Sequence, residues 1–103
     1  MIKVSVFYPY AEGCRFDIDY YCRRHMEMVR KALGAACKGV FVERGLAGAA
    51  PGSPPPFVAM GHVLCDSAET FRAIMEPHMA EIMADVANYT DIEPVIQFSD
   101  VKM

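Results

Sequence analysis

Two tyrosines and a histidine, Tyr20, Tyr21 and His25, fall close together in the stretch FDIDYYCRRHMEMV, residues 16–29. An imidazole titrates near neutral pH, and a phenol beside it can donate to an oxyanion or hold the ring in one tautomer. On a helix, Asp17, Tyr21, His25 and either Met28 or Val29 share one stripe, because residues three and four apart are neighbours. Tyr20 lies about 100° away from Tyr21 and borders that stripe. Tyr21 and His25 can therefore touch and carry proton chemistry, with His25 as acid or base and Tyr21 orienting it. The plainer alternative is an amphipathic helix whose tyrosines reach water and whose histidine bonds a backbone carbonyl.

His78 is the second candidate. Phe71, Ile74, Met75, His78 and Ile82 follow one helical stripe, which turns His78 inward. Pro77 breaks the helix just before it, and a fresh helix start there offers free N–H groups and a positive dipole end. Both favour a neutral His78 acting as base or acceptor, and they also suit an anionic ligand. The alternative is a buried histidine satisfied by ordinary hydrogen bonds. Tyr20, Met28, Phe71 and Met75 are expected to line the same ligand-binding cavity. The eight methionines suit a pliable wall around an apolar ligand, although most belong to the core.

His62 sits on a strand between Met60 and Leu64 and can face the opposite side of the sheet. Histidines at 25, 62 and 78 have none of the short spacings of a zinc site, so no metal is expected. A single histidine can hold a haem, but nothing in the sequence selects one, and no cofactor is expected. Cys22 lies three residues from His25, so a thiolate–imidazole pair is conceivable. The cysteines read better as small hydrophobes.

The elements that must position these groups are legible in order. IKVSVFY (2–8) is a β-branched and aromatic strand that stops at Pro9. Asp17 caps a helix running to Leu33, Phe16 staples back onto Tyr21, and Gly34 closes it. CKGVFVERG (37–45) is a second strand, and LAGAAPGSPPP (46–56) is an irregular connector. FVAMGHVLCD (57–66) is a third strand, and Asp66 with Glu69 makes a capping pair for the helix that follows. NYTD (88–91) is a turn, and IEPVIQFSDV (92–101) supplies a last strand that Pro94 marks as an end or an edge. The order βαββαβ is the ferredoxin-like split unit, an α+β fold: a four-stranded antiparallel sheet with helices on one face, in a single domain over 1–103.

A chain of 103 residues with 53% apolar content holds one core and is generously apolar for a small monomer. In the third strand Phe57, Ala59, Val63 and Cys65 alternate with Val58, Met60, His62 and Leu64, so both faces are largely apolar. Helices cover only one face, and an identical face from a second copy is the simplest cover for the other. A homodimer is expected. The net charge of -3 carries no block of like charge, which argues against nucleic acid, and no apolar run approaches the length that spans a membrane. Cys14, Cys22, Cys37 and Cys65 show no C-x-x-C spacing, and the amino terminus reads as a strand rather than a signal peptide. Both point to a cytoplasmic setting.

The segments FDIDYYCRRHMEMV, PGSPPPFVAMGHV, PHMAEIMADV and NYTDIEPVIQ together resemble the EthD family, named after a protein of ethyl tert-butyl ether degradation. The resemblance covers nearly the whole chain. It implies the dimeric α+β barrel, in which two ferredoxin-like protomers close their sheets against each other, and it places the first-helix histidine in a shared motif. Proteins of that superfamily include cofactor-free monooxygenases, cyclases, isomerases and haem-binding peroxidases. The resemblance therefore leaves two readings open. One is a small-molecule enzyme or accessory of oxidative ether or aromatic catabolism with His25 as acid or base. The other is a non-catalytic carrier of an apolar intermediate.

Overall fold

The computed structural model describes residues 1–103. Four strands, β1 (Ile2–Pro9), β2 (Gly39–Arg44), β3 (Phe57–Cys65) and β4 (Val95–Asp100), form one antiparallel sheet in the order β2-β3-β1-β4. β4 is an edge strand that begins directly after Pro94, whose missing N–H suits that place. Two helical segments, 18–33 and 68–88, cover one face. This is the α+β, ferredoxin-like arrangement the sequence predicts.

Alternation along the strands fixes what each face carries. Ile2, Val4, Val6 and Tyr8 of β1 pair with Cys65, Val63, Gly61 and Ala59 of β3, and this set turns to the helices. Lys3, Ser5 and Phe7 pair with Leu64, His62 and Met60 on the open face. The expected alternation of β3 breaks at its first residues. β1 and β3 slip register between Tyr8 and Pro9, so that Val58 is left as a bulge. Val58 consequently packs against the core, while Phe57 swings to the open face and meets Phe7 at 5.3 Å.

The first helix is capped by Asp17, whose carboxylate accepts the Tyr20 N–H at 3.1 Å, and it ends at Gly34 with a φ of +58°. Phe16 packs on Tyr21 at 5.2 Å between ring centroids, as the staple requires. Its interior is not a uniform α-helix. Ile18–Tyr20 and Met26–Leu33 are α-helical, but Tyr21–His25 is a π-helical turn in which the Met26 N–H reaches back five residues to the Tyr21 carbonyl.

The second helix begins at Ala68 with Ser67 as its cap: the Ser67 hydroxyl accepts the Thr70 N–H at 3.1 Å. Asp66, the expected cap, lies one residue too early. At Pro77 the helix does not restart. It tightens into a 3₁₀ turn over Glu76–His78 and continues as α-helix over Met79–Asp85, ending in a second 3₁₀ turn at Val86–Asn88.

The NYTD turn then ties the second helix back to the start of the first. The Asp17 N–H donates to the Tyr89 carbonyl at 2.8 Å, the Thr90 hydroxyl to the Arg15 carbonyl at 2.6 Å, and the Arg15 N–H to Asp91 at 2.9 Å. No helix is long and apolar enough to cross a membrane.

Candidate functional site

Between helices and sheet lies a cavity of about 450 Å³, with 15 apolar residues among the 21 that line it. This is large enough for a small organic ligand. Tyr21, His25, Phe71 and Met75, all expected at the site, line it together. His78, Met28 and Tyr20 do not.

His78 and Met28 instead share a shallow outer groove with Arg23, Arg24, Glu27 and Lys31. The physical reason is the same for both. The π turn inserts one residue into the first helix, so the buried stripe passes from Tyr21 and His25 to Met26, Val29 and Leu33, leaving Met28 half-buried at its edge. The 3₁₀ turn at 76–78 rotates each residue about 120° rather than 100°, which carries His78 off the inward stripe.

His25 is 5% exposed, and its Nδ1–H donates to Asp85 Oδ2 at 2.9 Å. Asp85 also accepts from the Tyr20 hydroxyl at 2.6 Å and from the Asn88 amide at 2.9 Å, both on Oδ1. Tyr21 does not hydrogen-bond His25. It stacks on the ring, with centroids 5.6 Å apart and planes 16° from parallel. Orientation of the imidazole thus falls to Asp85, and Tyr20 serves the site by bonding that carboxylate.

Burial lowers the pKa of His25 and outweighs the opposing hydrogen bond and charge of Asp85. Burial works against Asp85 ionising, yet the hydrogen bonds from Tyr20, Asn88 and His25 hold its carboxyl below the usual range. The ring is therefore neutral at pH 7, with its proton on Nδ1. Nε2 makes no hydrogen bond within the chain and is left as an acceptor on a ring that lines the cavity.

Around this dyad stands a nest of aromatic rings. Tyr89 packs against His25 at 4.7 Å, Tyr21 at 5.0 Å and Phe16 at 5.4 Å, and its hydroxyl meets that of Tyr8 at 2.7 Å. Burial raises the pKa of Tyr8, Tyr21 and Tyr89, so all three phenols stay protonated. No local pattern in the sequence points to Asp85, Tyr89, Tyr8 or Gly61 as members of the site. A carboxylate four residues beyond Glu81 on a polar helix face gives no local signal, and only the fold brings it 60 positions back to His25.

On the open face, His62 is held by two bonds, Nδ1 to the Ser5 hydroxyl at 2.8 Å and Nε2 to Glu43 at 2.8 Å. All four cysteines are free. No three His, Cys, Asp or Glu side chains converge in an arrangement that could hold a metal ion.

An antiparallel sheet covered on one face by two helices, with an apolar cavity and an Asp-anchored histidine between them, defines a protein of the ferredoxin-like class. Residues 15–93 match the family model for the EthD domain, and the chain belongs to the EthD family. It is similar to an EthD-like protein from Ralstonia eutropha JMP134, with 61% identity and a TM-score of 0.95 over 99% of this chain and 92% of that one. An ethyl tert-butyl ether degradation family protein from Bacillus halodurans C-125 shares the fold at 18% identity, with a TM-score of 0.73 over 99% of both chains. A dimeric ferredoxin-like protein of unknown function from Thermobifida fusca YX does so at 16% identity, with a TM-score of 0.58 over 97% and 90% of the two chains. No curated protein matches the chain.

Proposed function

We propose that this EthD protein binds a small apolar molecule in the cavity and that His25 acts on it as a general base, in a cofactor-free step of oxidative ether or aromatic catabolism. The observation that carries the reading is the His25–Asp85 pair. A neutral imidazole is anchored through Nδ1 to a partly buried carboxylate, with its Nε2 lone pair unused on a ring that lines an apolar cavity. That is the protonation state and geometry a base requires. Asp85 stabilises the imidazolium that forms once His25 takes a proton, and burial keeps the free ring ready to accept one.

The working unit in this reading is a homodimer joined by the open sheet faces. Phe41 and Val95 stand 48% and 53% exposed there beside Phe7, Met60 and Leu64, and the fold relative from Thermobifida fusca is dimeric. Free thiols on all four cysteines accord with a reducing, cytoplasmic setting.

The test uses 2-tetralone, a bicyclic ketone with an acidic C–H, whose deuteration in D₂O is followed by NMR. Wild-type protein should accelerate exchange over buffer, and His25→Gln should stay folded and lose about 10²- to 10⁴-fold of that acceleration. Equal exchange by wild type and His25→Gln would remove the base role. Binding of the ketone without any acceleration would favour the carrier reading, in which the same cavity delivers an apolar intermediate unchanged.

A further inference from the structure

The Tyr21 side chain is fully buried, and its hydroxyl is the one buried side-chain polar atom without a hydrogen-bond partner. Orphaned polar groups of this kind are uncommon in folded proteins because each forfeits its bonds to water. Its surroundings are shaped to keep it there. A Cβ on Gly61 would lie 1.9 Å from the Tyr21 oxygen, so only glycine at this point of β3 lets the hydroxyl rest on the sheet. Among the neighbouring polar groups, His25 Nδ1 and Tyr20 bond Asp85, while the Tyr8 hydroxyl bonds Tyr89 and lies close to Tyr21 without completing a well-formed bond to it.

Tyr21 and Gly61 both belong to the cavity wall, as does Val6, which pairs with Gly61 across the sheet. We infer that the Tyr21 hydroxyl determines specificity by donating to a carbonyl oxygen on a neutral, two- to three-ring ligand. This inference rests on the reading that the cavity holds a small apolar molecule.

Three observations select that ligand class. Burial keeps the phenol protonated, so it has an O–H to donate and an acceptor such as a carbonyl oxygen can take it. The only lining cation is Arg72, exposed and stacked over Phe98 at 4.4 Å, so a carboxylate seated at Tyr21 would have no counter-charge beside it. A water there would need two or more polar partners, while Gly61 and Val6 have their backbone groups in the ladder. The size follows from volume: a cavity of about 150 Å³ takes one benzene ring, and this one is about three times larger. The flexible lining methionines, Met26, Met75, Met79 and Met83, can yield to bring a ring up to the hydroxyl.

The experiment compares 9-fluorenone with fluorene, which has the same three rings without the carbonyl, by calorimetric titration of wild type and Tyr21→Phe. Wild type should bind fluorenone about tenfold more tightly than fluorene, and Tyr21→Phe should erase that preference while leaving fluorene affinity unchanged. The melting temperature of Tyr21→Phe should be unchanged or higher, because an unpaired polar group is removed. A structural tyrosine would lower it. Equal affinity of wild type for the two compounds would overturn the inference and leave the apolar-cavity reading standing. Failure of both compounds to bind would overturn both.

Discussion

The proton on His25 is set by two opposed forces, and their balance has a measurable sign. Burial disfavours the imidazolium, the Asp85 carboxylate favours it, and burial prevails, so the folded-state pKa lies below the ordinary 6.5. The unfolded chain then binds a proton that the folded chain refuses. Stability is full above pH 6.5, and it falls as the pH drops through that value toward the folded pKa. Chemical denaturation between pH 8 and 5 should show this loss, and His25→Gln should flatten it. Exchange activity should follow the lower, folded-state value and persist below pH 6.5. Of the residues at this site, Tyr21 and His25 were legible from their spacing, since i and i+4 on a helix face each other whatever the fold. Asp85 was not. Its role depends on a contact across 60 positions of chain, which no local pattern encodes.

Elements were legible where one physical rule governs them. Asp17, Phe16 and Gly34 state the limits of the first helix, and Pro94 states the edge of the sheet. A stripe drawn with one period loses phase where a helix departs from 3.6 residues per turn, at the π turn of 21–25 and the 3₁₀ turn of 76–78. Met28 and His78 leave the cavity-facing stripe at these two turns. The cap of the second helix offers a direct check. Ser67 satisfies the Thr70 N–H, so Ser67→Ala should cost about 1 kcal/mol in urea denaturation, whereas Asp66→Ala should cost little.

At the scale of the molecule, the sheet presents an open face that mixes exposed apolar side chains with the bonded chain Ser5–His62–Glu43. Because those polar groups satisfy one another within a protomer, a second copy can cover them without stranding a donor. Phe41→Lys, at an exposed open-face position, should yield monomer in sedimentation equilibrium and lower the melting temperature, which in wild type should rise with protein concentration. A wild type that is monomeric at micromolar concentration and fully folded would refute the dimer. The strand faces made this expectation readable from sequence. The bulge at Val58, which moves Phe57 onto the open face, was hidden because it depends on pairing with β1.

The π turn has one more consequence. Counted as an ordinary α-helix, Tyr21, Met26, Val29 and Leu33 are spaced five, three and four; with one residue fewer between Tyr21 and Met26 they would be spaced four, three and four, an unbroken apolar seam. The first helix therefore carries one supernumerary residue, and the beneficiary is His25. Excising Cys22, Arg23 or Arg24, all exposed, would mend the seam and set the imidazole about 60° from Tyr21, at the seam's flank. The chain thus keeps a less regular helix, and with it a histidine facing inward.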